Sequence, residues 1–202
     1  MSLTLKTLPN ATNEIIIFDT EYTTWDGSRA RGWSRPDEHR ELVQLAAARV
    51  HLETGEVRGE FSELVRPRIN HQLSACFTNL TGLTQAEIDT AGKDFTEVYT
   101  AFLDWSEEVA VYSYGSSKTN DGEILAENIS LYQLDLPHDP ARYHNLRPLF
   151  AAAGIPVDHY TSGELYRAFG LTLSGQVHNA MHDVRSLTQS LLALSAQLKL
   201  GA

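Results

Sequence analysis

A single cysteine, Cys76, stands among 202 residues. It excludes an internal disulfide and a cysteine-built zinc site. No apolar run approaches the roughly 20 residues that cross a bilayer, so no membrane partner is expected. Residues 1–13 lack the basic start and apolar stretch of a secretory leader, which makes a cytoplasmic location the default expectation. Positive charge is scarce: 16 Lys and Arg face 26 Asp and Glu, for a formal net charge of −10. That excludes a protein that coats nucleic acid by bulk electrostatics. It does not exclude an enzyme that meets phosphates through bound cations and a local basic patch. The length and the 42% hydrophobic content suit one domain, residues 1–202, with a sizeable core.

The most informative stretch is Ile15-Ile16-Ile17-Phe18-Asp19-Thr20-Glu21. An unbroken apolar run of this kind reads as a strand buried on both faces. Alternation along the strand puts Asp19 and Glu21 on the same face. Two carboxylates side by side repel each other and are costly to desolvate unless a cation lies between them. They mark a divalent-metal site, or the strand simply ends there and they are solvated turn residues.

The loop that follows, residues 22–36, holds Arg29, Arg31 and Arg35 together with Trp25 and Trp33. Arginine beside exposed aromatics suits phosphate contact and base stacking. The other reading is a surface loop whose tryptophans fold back onto the core. Residues 41–52 and 56–65 are expected strands, joined as a hairpin through Glu53-Thr54-Gly55. Ala46, Ala47 and Ala48 would also fit a helix. Thr84 and Glu87 match a capping box. Residues 94–106 form an amphipathic helix with Phe95, Val98, Phe102 and Trp105 toward the core. Further strands are expected at 109–114 and 142–146. Further helices are expected at 121–134, after the last strand from 146 to about 153, at 161–169 and at 180–198.

Two of these helices carry an acid on the inward face. Asp121 precedes Leu125 by four and Asn128 by seven, so it shares their face. It is either an N-cap or a metal ligand. In the last helix Ala180, Val184, Leu187, Leu191, Leu194 and Leu198 make a regular apolar stripe, and Asp183 falls on it. A buried carboxylate is rare unless it is paired or metal-bound. His182 and Arg185 do not share its face. His178 stands just ahead of the helix, close to this acid.

Asp19, Glu21, Asp121 and Asp183 together offer enough oxygen ligands for two divalent cations with waters completing the shells. Hard oxygen donors suit Mg²⁺ or Mn²⁺. A cation pair of this kind clamps the attacking and leaving oxygens of an in-line phosphoryl displacement. A histidine is the usual side chain to take a proton from the attacking water near neutral pH.

Asp19-Thr20-Glu21, Asp121 and His178 with Asp183 resemble the three motifs of the DEDDh 3′→5′ exonucleases. The segments Val65-Arg66-Pro67-Arg68-Ile69-Asn70 and Leu80-Thr81-Gly82-Leu83-Thr84-Gln85, with Leu73-Ser74 and Cys76 between them, resemble the Eri-type branch and its bacterial relatives. The resemblance runs from about residue 14 to 194. It implies an α/β, ribonuclease H-like fold: a mixed five-stranded sheet flanked by helices, with the second strand antiparallel. It implies that Asp19 bridges both metals, that Glu21 and Asp183 hold the water-activating metal, and that Asp121 serves the second. His178 would be the general base. Leu83, Thr20, Tyr22 and Thr23 would lie near the terminal nucleotide. The partner would be a nucleic acid, RNA or DNA, with a free 3′ end.

There are departures from the pattern. Asn120 stands where members often have an aromatic, and the loop from residue 115 to 121 is longer than expected. Glu123, an adjacent acid, falls off the inward face. His182 replaces an acid common in the Eri branch. Lys118 either contacts a phosphate or is solvated. A catalytically quiet binding module on the same fold is the competing reading. A haloacid dehalogenase-type phosphatase is disfavoured, because it needs a second Asp where Glu21 stands.

Overall fold

The computed structural model describes residues 8–115 and 120–200. Lys118 lies outside them, as does the rest of residues 116–119. The strands are β1 (Glu14–Tyr22), β2 (Leu42–His51), β3 (Val57–Leu64), β4 (Val111–Ser113) and β5 (Tyr143–Asn145). They form a five-stranded sheet in the order β3-β2-β1-β4-β5. β2 runs antiparallel to β1 and β3, while β1, β4 and β5 are parallel. The mixed sheet and its one reversed strand are as the family resemblance implied.

β1 sits at the centre because its apolar run can be covered on both sides. Ile15 and Ile17 face one layer, and Ile16 and Phe18 the other. All four are fully buried, and each such side chain contributes about 1.5–3 kcal/mol of burial free energy. The first layer is α6 (Ala180–Leu200), whose Val184, Leu187 and Leu191 pack on Ile15, Ile17, Ala46 and Ala48. The second layer is α3 (Phe95–Ser106) and α4 (Gly122–Leu131), with Phe95, Val98, Phe102, Ile124 and Leu125. Trp105 joins this layer through Phe61 and Phe102. Ala46, Ala47 and Ala48, which would also have suited a helix, are strand residues of β2; Ala46 and Ala48 face α6 and are small enough to let it lie close, while Ala47 faces the other layer.

α1 (Ala75–Thr81) and α2 (Gln85–Ala91) carry the smaller third cluster, and Thr84 with Glu87 completes the expected capping box. α5 (Arg147–Ala152) follows β5. The stretch expected as an α-helix over 161–169 is a 3₁₀ helix, Ser162–Phe169. Its backbone is drawn sideways onto α6. The Ser186 hydroxyl donates to the Ser162 carbonyl (2.6 Å) and accepts from the Tyr166 N–H (3.4 Å), so the stretch winds tighter than an α-helix. No helix among the described residues is long and apolar enough to cross a membrane.

Candidate functional site

The end of β1 delivers side chains to both layers. Asp19 pairs in register with Ala46, and Glu21 with Gln44, after which a bulge ends the ladder. Both acids therefore point toward α6. Thr20 points the other way, and its hydroxyl donates to Asp121 Oδ1 at 2.7 Å.

α6 begins opposite these acids because β2 anchors it. The Ala180 N–H donates to Gln44 Oε1 at 2.9 Å, which satisfies one of the helix's free first-turn donors. Asp183 then lies in that first turn and is 1% exposed. Its Oδ2 accepts from the Ser162 hydroxyl (2.7 Å) and its Oδ1 from the His178 N–H (3.1 Å). His178 has φ 66°, a left-handed conformation uncommon outside glycine. Strain of this kind persists where surrounding contacts over-determine the backbone. Glu21, His178 and Asp183 each bring a ligand atom within 4.8 Å of the others.

Asp121 occupies the N-cap position of α4, yet its side chain makes no capping bond. Asn120 Oδ1 takes the Gly122 N–H instead (2.8 Å). The Asp121 N–H donates to the Ser113 hydroxyl (3.1 Å). Capping, one of the two sequence readings of Asp121, therefore belongs to its neighbour, and its own carboxylate stays directed at Thr20.

These four acids resist ionising together. Burial raises Asp19 and Glu21 well above the usual carboxylate range, and the charges of Asp183 and Asp121 push them further. Burial pushes Asp183 up to about 6, opposed by its bonds from Ser162 and His178. Burial also raises Asp121, opposed by Thr20 and Ser113. Among the described residues, no Lys or Arg forms an ion pair with any of the four. Hard oxygen donors, desolvated and lacking a counter-cation, are the donor set that fits divalent metal ions. His178 is shifted the other way: burial lowers its imidazole below the ordinary value.

Three contributors carried no sequence signal, and a fourth was expected elsewhere. Ser162 and Gly163 approach Asp183 from the 3₁₀ helix, and a Cβ on Gly163 would meet Asp183 Oδ1 at 2.2 Å. Gln44 is an ordinary polar residue in a strand pattern. His182 was expected off the buried face, but it is only 5% exposed. Its Nε2 lies 3.0 Å from the Gly163 carbonyl and its ring packs edge-on to Tyr166. The 3₁₀ helix covers the side of α6 where the helical stripe alone predicts solvent.

The residues expected around a terminal nucleotide are placed unevenly. Thr20 is bound to the cluster through Asp121. Tyr22 lies on the opposite layer against Trp33, with ring centroids 5.7 Å apart. Thr23 has its polar groups engaged inside the loop: its hydroxyl with the His39 carbonyl and Glu41 N–H, its carbonyl with Trp33 Nε1. Leu83 packs with Val43, Phe77 and Ile88. In the 22–36 loop Trp33 folds back, as one reading had it, and Arg31 is clamped by Glu38. Arg185 pairs outward with Glu60.

An exonuclease family model matches residues 16–191. The 3′-5′ exonuclease Snipper of Drosophila melanogaster is 25% identical over 190 residues, covering 86% of this chain and 66% of that protein. The 3′-5′ exoribonuclease 1 of Homo sapiens is 26% identical over 184 residues, covering 87% and 50%. The chain thus spans between half and two thirds of these relatives' lengths. The structure of the nuclease domain of 3′hExo, a DEDDh family member, bound to rAMP, superposes with a TM-score of 0.75. It is 22% identical, with 92% of each chain covered, and shares the ribonuclease H-like fold.

Proposed function

The chain belongs to the exonuclease family, and from that premise we propose that it is a metal-dependent 3′→5′ exonuclease. It shortens single-stranded 3′ ends of RNA or DNA and releases nucleoside 5′-monophosphates. The observation that carries this reading is the grouping of Glu21, His178 and Asp183, whose ligand atoms lie within 4.8 Å of one another, with Asp19 on the same strand face as Glu21 and no Lys or Arg paired with these acids among the described residues. The competing reading, a quiet binding module, has no feature of the site in its favour.

Asp19, Glu21, Asp121 and Asp183 would hold two divalent cations, Mg²⁺ or Mn²⁺. Once bound, the cations supply the positive charge that stabilises the attacking and leaving oxygens of the phosphodiester. The lowered pKa of His178 keeps its imidazole neutral near pH 7, so a ring nitrogen is free to accept the proton of the attacking water. The His178 N–H bond to Asp183 fixes the base relative to the acids. Ser162 and Thr20 hold the Asp183 and Asp121 carboxylates in place through their hydroxyls. Thr20, Tyr22 and Leu83 border the terminal nucleotide, and Thr23 contributes by fixing the course of the loop.

The test is digestion of 3′- and 5′-labelled RNA and DNA oligonucleotides. A ladder from the 3′ end that chelator stops is expected. Asp19→Asn should abolish it without unfolding the protein. A correctly folded Asp19→Asn variant that still digests at the normal rate would refute the assignment of Asp19. Internal cuts, or activity indifferent to chelator, would refute the class of reaction.

A further inference from the structure

All 12 arginines are among the described residues, and 11 of them hold a carboxylate or a backbone carbonyl. Arg29 is the exception among the described residues, and it is exposed. In a chain of net charge −10 there is no shortage of acids to pair with it. Its isolation is a property of where the backbone holds it.

That backbone is fixed on both sides. Ser28 is fully buried, its hydroxyl bonded to that of Thr24 (2.7 Å) and to the Trp25 N–H (3.2 Å). Arg31 is bound to Glu38 and to the Asp26 carbonyl (2.8 Å). Trp33 Nε1 holds the Thr23 carbonyl at 3.2 Å, and the Ser74 hydroxyl ties Thr24 to the start of α1. The loop leaves β1 directly after Glu21. The charge of Arg29 is felt by both the Tyr22 hydroxyl and the His178 imidazole. The guanidinium therefore lies within electrostatic reach of Tyr22, next after Glu21, and of His178, and among the described residues it forms no ion pair with the acids.

We propose that Arg29 is a clamp for the sugar-phosphate backbone of the substrate, binding non-bridging phosphate oxygens of a strand whose 3′ end lies on the acid cluster. The proposal rests on the exonuclease reading of that cluster. A guanidinium offers paired donors that match a phosphate, and such a contact fixes register without reading sequence. It also supplies the local positive charge that an acidic protein otherwise lacks when it must meet a polyanion.

The test is Michaelis kinetics on a labelled single-stranded oligonucleotide over a range of salt concentrations. Wild type, Arg29→Ala, Arg29→Lys and Arg185→Ala are compared. Arg185→Ala removes the same charge from α6, where Arg185 pairs with Glu60 at 3.0 Å. Arg29→Ala should raise KM about five- to ten-fold, the effect of one charge-assisted phosphate contact, with a much smaller change in kcat. Its log KM against log salt plot should be shallower by about 0.7, one phosphate contact on a single strand. Arg29→Lys should recover most of the slope and part of the KM. Arg185→Ala should keep the wild-type slope. Wild-type KM and slope in Arg29→Ala, or an equal change of slope in Arg185→Ala, would overturn the proposal. A wild-type protein that leaves the oligonucleotide intact overturns the exonuclease reading instead. The same salt slope, read from fluorescence anisotropy of oligonucleotide binding, then decides on Arg29 separately.

Discussion

Replacing Gly163 by alanine tests the placement of Asp183 with one methyl group. The new Cβ would stand 2.2 Å from Asp183 Oδ1, 2.8 Å from Cγ and 3.0 Å from Oδ2. An ordinary carbon–oxygen contact is about 3.3 Å, so carboxylate and methyl must part by about 1 Å. Asp183 is short, buried and already bonded to Ser162 and His178, and it has nowhere to swing without breaking a bond. A 1 Å misplacement at a reacting centre costs roughly 100-fold, or about 3 kcal/mol of barrier. For the fold the terms oppose. Alanine is preferred to glycine in helical backbone by about 0.5–1 kcal/mol, and Gly163 is not in the left-handed region, but a bond broken at a buried carboxylate costs about 1–3 kcal/mol. The expected result is a modestly lowered melting temperature in chelator, with kcat/KM down about 100-fold and a weaker apparent affinity for Mn²⁺. The assay is a thermal melt with and without Mn²⁺, run beside oligonucleotide digestion. Activity of Gly163→Ala within two-fold of wild type would refute the claim that Asp183 must stay where it is.

Three further outcomes are expected. Asp19, Glu21, Asp121 and Asp183 all have raised pKa values, so what they contribute to stability is complete in acid and is lost as pH rises, through about 6 for Asp183. In chelator these groups should increasingly destabilise the fold as pH rises from about 4; Mn²⁺ at about 100 times its dissociation constant should restore about 2.7 kcal/mol and flatten that slope in pH-dependent melts. Glu14, Glu38, Glu87 and Asp94 have lowered values and act in the opposite sense at more acid pH; the chelated-minus-loaded difference cancels them. His178 must be neutral to accept a proton, so kcat should rise with pH with its midpoint below the ordinary histidine value of 6.5; His178→Ala should lose activity at neutral pH while keeping metal-induced stabilisation in the same melts. Gln44→Ala leaves the Ala180 N–H without its partner at a buried helix start; it should cost about 1–3 kcal/mol in denaturant titration and lower kcat/KM through Asp183, and an unchanged midpoint would remove Gln44 from the account.

Much of this site was readable because burial leaves a periodic trace. The apolar run before Asp19 is legible as a central strand since both its faces are covered. Asp183 is legible as a polar intrusion in the stripe of α6. Asp121 was readable only as a choice between two roles, since a helix-start acid looks the same in either. The capping role is taken by Asn120, whose amide oxygen reaches the Gly122 N–H. What could not be read acts through single atoms. Ser162 matters for a hydroxyl, Gly163 for the lack of a side chain, and Gln44 for one amide oxygen. None of these recurs at a helical or strand period. The 3₁₀ winding of Ser162–Phe169 is likewise set by side-chain bonds from α6 rather than by local propensity. His182 lies off the stripe, yet a segment packed from the side buries it.

The alanines of β2 set a spacing. Ala46 lies beside Asp19 in the sheet, and Ala46 and Ala48 both carry the weight of α6. Two acids of the cluster belong to the sheet and a third to the helix above it, so the gap between layers is also the width of the proposed metal cradle. Interiors packed this densely transmit a change of one methylene rather than absorb it. A valine at position 46 would lift the helix as a shim lifts a bearing, and the cradle would widen with nothing in it altered. On the proposed reading, affinity for a divalent cation would thus be adjustable from the apolar side of the protein, by residues that never touch the ion.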